Sequence, residues 1–160
     1  MTTFHIETEG FDDISRNYSR ARVVVLGALN RALRKIGRTV TPALKANTPV
    51  VTGRLRNSTR FQVLGTAEDQ RLEVRQGART SEGVFYRPFV TGGTRPHDIV
   101  PVRAKALRFV VNGTPVFAKR VHHPGTKANP YHVRTVREQM PALREIIKEE
   151  GVNVTATLSR

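Results

Sequence analysis

The stretch that decides the fold is residues 18–47, YSRARVVVLGALNRALRKIGRTVTPALKAN. Apolar side chains recur in it at steps of three and four, which places them along one face of an α-helix. These residues are Ala21, Val25, Ala28, Leu29, Ala32, Ile36, Val40 and Ala43. Such a helix would be roughly 40 Å long. Pro42 lies inside the pattern and predicts a kink or the start of a second short helix.

The polar face of this predicted helix is basic. Arg31, Arg38 and Lys45 are spaced seven residues apart, and Arg34 and Lys35 flank them. The whole chain has 27 Lys and Arg against 13 Asp and Glu, a formal net charge of +14. An excess of this size indicates an acidic partner, either nucleic acid or protein. The stripe itself is equally consistent with a solvated helix face.

On the N-terminal side, residues 3–8 alternate apolar and polar, with Phe4 and Ile6 on one side, which predicts a short strand. Asp12 or Asp13 would cap the helix that follows. No apolar run follows a basic N-terminus, so we expect no secretory signal. No run of 18 apolar residues occurs, so we expect no membrane span.

On the C-terminal side, Pro49–Gly53 predicts a turn, and the next segments read as sheet. Strands are predicted at 58–64, 71–76, 84–90, 107–111 and 115–121, with a short segment at 97–101. Asn112-Gly113 joins the last two strands and is the strongest hairpin signal in the chain. Residues 91–96 form a predicted glycine-rich loop, and residues 122–130 a long loop.

The last periodic segment is a second helix at residues 131–150, for which Gly151 is the expected C-terminal stop. Residues 152–158 alternate apolar and polar. They would form an edge strand or a tail that pairs with a neighbouring subunit. The length of 160 residues predicts one domain over 1–160, with the 3–8 strand and the 151–160 tail ordered by neighbours.

No pattern typical of catalysis or of a cofactor is present. The five histidines lack metal-ligand spacing, there is no cysteine, and no carboxylate is close in sequence to the 122–132 histidines. Nucleophile-elbow and phosphate-loop motifs are also missing. The sequence predicts a solvated face that contains Glu145, Glu149 and Glu150. We therefore expect no catalytic residue, metal or cofactor, and an enzyme built around His122 and His123 is the weakest hypothesis.

Three segments resemble one family when they are taken in order and spacing. They are Pro49–Ser58 (a proline, then Thr-Gly-x-Leu, then Ser), Tyr86–Thr94 (an aromatic-rich strand ending in Gly-Thr) and His123–Tyr131 (His-Pro-Gly-Thr, then Pro-aromatic). The family is that of head–tail joining or tail-completion proteins of long-tailed bacteriophages. The resemblance covers about residues 30–150. It departs at Thr91, where many members carry an acidic residue.

The resemblance implies an α+β fold, in which a curved antiparallel sheet is packed by a long N-terminal helix and a C-terminal helix, with extended loops. It implies a structural virion protein, assembled in the host cytoplasm into a homo-oligomeric ring, commonly hexameric. Head-closure and tail-terminator rings would be its neighbours, and packaged DNA would pass nearby. No catalysis and no membrane are involved.

Two groups of residues are expected to make these contacts. Arg31, Arg34, Lys35, Arg38 and Lys45 would meet an acidic surface or DNA. The loops between subunits would present Thr52, Gly53, Arg54, Leu55, Gly92, Gly93, Thr94, Arg95, His123, Pro124, Gly125 and Thr126. The alternative is a nonspecific nucleic-acid-binding protein that contacts DNA phosphates through the basic helix.

Overall fold

The computed structural model describes residues 11–102 and 104–159, so the predicted 3–8 strand lies outside the described residues. The elements are α1 (Phe11–Asn47), α2 (Arg54–Asn57), β1 (Thr59–Leu64), β2 (Arg71–Gln76), α3 (Arg87–Gly92), β3 (His97–Ile99), β4 (Leu107–Val111), β5 (Thr114–Ala118), β6 (Val121–His123) and α4 (Tyr131–Leu158). The predicted α+β class, with a long N-terminal helix and a C-terminal helix, is confirmed.

The central element is α1, which α4 and the β1–β2 hairpin both contact. Ala28, Ala32, Val40 and Leu44 are its buried apolar residues. The helix starts seven residues before the predicted Tyr18, with Asp12 and Asp13 in its first turn, where carboxylates favour the positive end of the helix dipole.

The prediction of a second helix at Pro42 is wrong. Helix α1 continues through Pro42 to Asn47. Proline removes one backbone hydrogen bond, and this loss is offset because Val40 and Leu44 are anchored in the core on either side of it.

Strands β1 and β2 form the antiparallel hairpin that packs on α1, and their bounds match the prediction to within one residue. The register pairs Phe61 with Val74 and Val63 with Leu72 on the face toward α1. Gly37 makes room for this packing, because a Cβ atom there would lie 2.3 Å from Cδ2 of Phe61.

The strands form three separate two-stranded sheets, β1–β2, β3–β6 and β4–β5, where the resemblance implied one curved sheet. The β4–β5 hairpin has the predicted Asn112-Gly113 turn, with both residues at positive φ (50° and 82°), as a type I′ turn requires. The predicted 115–121 strand is divided between β5 and β6, and β6 takes His122 and His123 out of the predicted long loop.

The predicted strand over 84–90 is wrong, because residues 87–92 form α3. Pro88 lies in the first turn of this helix, where its missing N–H costs nothing. Gly92 therefore ends a helix instead of lying in the predicted loop. Arg54 and Leu55, also predicted as loop, lie in α2.

The predicted helix stop at Gly151 and the strand over 152–158 are also wrong, because α4 continues to Leu158. The extra turns of α4 run beside the early part of α1, where Arg20 Nη2 donates to the carbonyl of Thr157 at 3.4 Å. The tail is therefore helical and contacts α1 of the same chain, and whether neighbouring subunits also order it stays a prediction. Within the described ranges, no helix is both long and apolar enough to cross a membrane.

Candidate interaction surfaces

The three segments that resemble the phage family meet at one buried residue, Tyr131. Leu55 from the first segment packs against it with Leu44 and Ala78. Tyr86 and Val90, from the second segment, are partly buried against the same cluster, to which Val74 also contributes. Leu55 is thus a core residue, and its expected role in an inter-subunit loop is wrong because its side chain is buried within the subunit.

A buried polar network holds Tyr131 in place. Its hydroxyl donates to Oε1 of Gln76, and Nε2 of Gln76 donates to the hydroxyls of Thr48 at 2.9 Å and Thr59 at 3.1 Å. The Thr135 hydroxyl donates to the Tyr131 carbonyl at 2.8 Å. Burial raises the pKa of the Tyr131 phenol. Because buried polar groups are costly when unpaired, the network fixes α1, β1, β2 and α4 relative to one another.

The second and third segments are joined by a backbone bridge. Thr94 and Thr126 exchange N–H to O=C bonds of 3.0 and 3.1 Å. Gly93 and Gly125 both have positive φ, and a Cβ atom would lie 2.4 Å from the Thr126 carbonyl oxygen and 2.3 Å from that of Thr94, respectively. The two glycines therefore serve a close contact within the subunit.

Other members of the expected loop set remain accessible. In the joined loops, Arg95, Pro124 and Thr126 are exposed. In the first segment, Thr52, Gly53 and Arg54 border a cavity of about 380 Å³, which Arg79 and Tyr86 also line. Val51, at the rim of this cavity, is 98% exposed.

Two residues of the α1 basic stripe are ion-paired within the chain. Nε of Arg31 lies 3.0 Å from Oε2 of Glu150, and Nζ of Lys35 lies 2.9 Å from Oε1 of Glu150 and 3.0 Å from Oε1 of Glu149. Glu150 is 4% exposed, so its prediction as part of a solvated face is wrong. Hydrogen bonding from Lys35 lowers the pKa of Glu150, and hydrogen bonding to Glu150 raises the pKa of Lys35.

The other three residues of the stripe differ from one another. Arg34 is exposed, and its Nε donates to Oδ1 of Asn30 at 2.8 Å. Arg38 is exposed and Lys45 is half-buried. The exposed residues of the stripe are therefore Arg31, Arg34 and Arg38, and Lys35 and Lys45 are partly covered.

A second basic surface lies on the outer face of the β1–β2 hairpin, which sequence reasoning missed. Arg60, Arg71 and Arg75 are exposed there, on the strand faces turned away from α1. The alternation of arginine with apolar residues in both correctly predicted strands is the signal that would have found this surface.

Two largely apolar cavities lie along α1 beside α4, and we call them together the apolar trough; the first also borders β2. One cavity of about 520 Å³ is lined by Val40, Leu44, Val74, His132, Val133, Val136, Arg137 and Met140. A second, of about 280 Å³, is lined by Val25, Ala28, Leu29, Ala32, Leu33, Ile36, Ile147, Glu150, Gly151 and Val154. Several of these side chains, including Met140 and Ile147, are exposed.

Pairing of β3 with β6 brings histidines and a carboxylate together. His122 Nδ1 donates to Oδ1 of Asp98 at 2.9 Å, and Arg120 bonds the other oxygen of Asp98. The rings of His97 and His123 stack at 5.1 Å. Asp98 and His122 are 24 positions apart, so the sequence did not predict their contact. Even so, the described part of the chain contains no group of three or more His, Asp or Glu residues placed to hold a metal ion.

The fold and these surfaces define an α+β chain with a small core, a basic sheet face and an apolar trough. Comparisons with protein-family models, curated proteins and solved structures found no match to this chain.

Proposed function

We propose that this chain is a structural subunit of the head–tail connector of a long-tailed bacteriophage. Copies of it would form a homo-oligomeric ring, commonly of six, that completes the tail and joins it to the head. One observation carries the proposal. The three segments that resemble the family, far apart in sequence, pack around Tyr131 as one contiguous unit. This packing supports the proposal, because the three segments form one part of this chain's core.

The area of exposed surface supports a role in an assembly. The chain exposes 12553 Å², whereas a compact monomer of 17.9 kDa exposes roughly 8,000 Å². Many large apolar side chains of the described residues are exposed, among them Val51, Phe117 and Ile147, and contiguous exposed apolar patches mark interaction sites.

The apolar trough is the surface that we assign to contact with another copy. Its α4 wall from Val133 to Val154 is roughly 32 Å long, and two helices side by side are about 20 Å wide. The resulting area, on the order of 640 Å², approaches the ~800 Å² per partner of a standard stable interface. The exposed loop residues Thr52, Arg54 and Arg95 would then meet neighbouring rings.

The test is the copy number and position of this chain in purified virions, measured by quantitative mass spectrometry and by imaging focused on the neck. Six or twelve copies at the junction between head and tail are expected. Absence of the chain from the particle would remove the connector role.

A further inference from the structure

The outer face of the β1–β2 hairpin has a charge pattern that folding of the subunit does not explain. The antiparallel register sets Arg60 directly opposite Arg75, and Arg71 lies two pairs further along the same face. Like charges placed opposite each other on neighbouring strands destabilise a hairpin. A polyanion lying across the two strands would turn this repulsion into attraction.

Few acidic groups offset these arginines. Glu73 lies on the same face, where its Oε1 is 2.6 Å from Nε of Arg75, and this contact lowers the pKa of Glu73. Arg60 Nη1 donates to the carbonyls of Asn57 at 2.6 Å and Thr59 at 2.8 Å. A guanidinium has five N–H donors, so Arg60 and Arg75 each keep N–H groups that these contacts do not use. The exposed Arg54 and Arg56, in the helix that leads into β1, add two further charges.

We propose that this outer face, defined by Arg60, Arg71 and Arg75, binds the phosphate backbone of duplex DNA without reading its sequence. Arginine forks match phosphate oxygens in geometry, and interfaces with nucleic acid are polar and strongly positive. The remaining outer-face positions are Gln62, Leu64 and Glu73.

The composition of the face distinguishes DNA from an acidic protein and duplex from single strand. Protein interfaces have an apolar centre, whereas the central pair of this face, Gln62 and Glu73, is polar and has arginines on both sides of it. Single-strand binding relies on aromatic side chains that stack on the bases, and none of the six outer-face residues is aromatic. Phosphate contacts along a duplex are the mode that remains.

This inference goes beyond the connector role and is tested on the purified chain alone. The probe is a mixed-sequence DNA duplex of about 30 base pairs, with binding followed by fluorescence anisotropy from about 50 to 300 mM NaCl. The variant Arg60→Gln/Arg71→Gln/Arg75→Gln is compared with Arg34→Gln/Arg38→Gln/Lys45→Gln, which removes the same formal charge from α1.

We expect the sheet-face variant to lose at least about tenfold in affinity at the lowest salt, and to reduce the slope of log K against log[salt] by about 0.9 for each contact removed. The α1 variant should keep a slope within about one of the wild type. Equal losses in both variants would mean that net charge alone drives binding and would overturn the proposal. Tighter binding to single-stranded DNA, or no binding by the wild type, would also overturn it.

Circular dichroism checks that the triple variants fold. If the sheet-face variant does not fold, the single variant Arg71→Gln decides the matter, since Arg71 is exposed at the end of β2. Its slope should fall by about 0.9, and an unchanged slope would contradict the assignment. The assay uses no virions, so a negative result would contradict the DNA-binding proposal and leave the connector proposal unaffected.

Discussion

The ring of Tyr131 belongs to the apolar cluster that contains residues of all three family-like segments, and its hydroxyl donates to Gln76 in β2. Tyr131→Phe keeps the apolar packing but leaves Oε1 of the buried Gln76 without its donor. A buried acceptor left unpaired costs about 1–3 kcal/mol, so the free energy of unfolding in urea should fall by that amount. Tyr18→Phe is the control, since Tyr18 is 74% exposed, and it should change stability by less than about 0.5 kcal/mol. Equal effects of the two substitutions would contradict the network.

The same residue makes a prediction about alkaline pH. The folded-state pKa of Tyr131 is raised above its ordinary value of 10.0, so the unfolded chain loses the phenol proton first. Its contribution to stability is complete below pH 10 and is lost as the pH rises toward the folded value. Urea unfolding between pH 9 and about 11 should show a steeper decline for the wild type than for Tyr131→Phe. Parallel declines would mean that the phenol is not buried.

For Glu150 we expect the opposite dependence of stability on pH. Its folded-state pKa is below the ordinary value of 4.5, so its pairing with Lys35 and Arg31 stabilises the fold above that pH and is lost as the pH falls through the folded value. Glu150→Gln should lower stability at pH 7 and have a progressively smaller effect as the pH falls below 4.5. The control is Glu145→Gln, on an exposed side chain of the same helix. A destabilisation by Glu150→Gln that does not change with pH would exclude the ion pairs as its cause.

At the scale of elements, replacing each of two glycines of α1 by alanine should change the stability in opposite directions. Alanine favours a helix over glycine by about 1 kcal/mol, so Gly27→Ala should stabilise the protein, because the nearest heavy atom to the new Cβ is 3.6 Å away. At Gly37 the new Cβ would lie 2.3 Å from the Phe61 ring, and overpacking costs about 1–3 kcal/mol. Thermal unfolding should separate the two variants, and stabilisation by both would show that β1 does not pack on α1 at Gly37.

The elements predicted correctly from sequence are those with local determinants. Strands β1 and β2 alternate cleanly, and Asn112-Gly113 supplies the positive φ values that a type I′ turn needs. Residues 152–158 were predicted wrongly because their alternation is real but short. The neighbouring α1 decides their conformation, and its early turns were themselves not predicted. The spacing of the α1 stripe likewise predicted a basic helix face. It did not predict the ion pair of Arg31 with Glu150, because Glu150 is 119 residues away in sequence.

For the whole molecule, the decisive feature is how much apolar surface the single chain leaves uncovered. Leu55 and Tyr131 are buried, whereas Met140 and Ile147 on the trough wall are exposed. Two-stranded sheets are marginal when isolated, and β4–β5 has Val110 and Phe117 exposed. The described residues therefore leave apolar side chains uncovered that a second copy could bury, as the proposed ring requires.

A matched pair of substitutions on α4 tests whether the trough is the surface that another copy covers. Ile147 and Val152 are each 59% exposed, but Ile147 lines the trough and Val152 lines neither of its cavities. Both Ile147→Asp and Val152→Asp should leave the monomer's unfolding free energy within about 1 kcal/mol, because both sites are open to water. Only Ile147→Asp would bury an unpaired carboxylate at the interface between copies. This costs several kcal/mol and should weaken self-association at least about 100-fold in sedimentation experiments. If Ile147→Asp associates at the same concentration as Val152→Asp, the copies associate through another surface and the trough is not the interface.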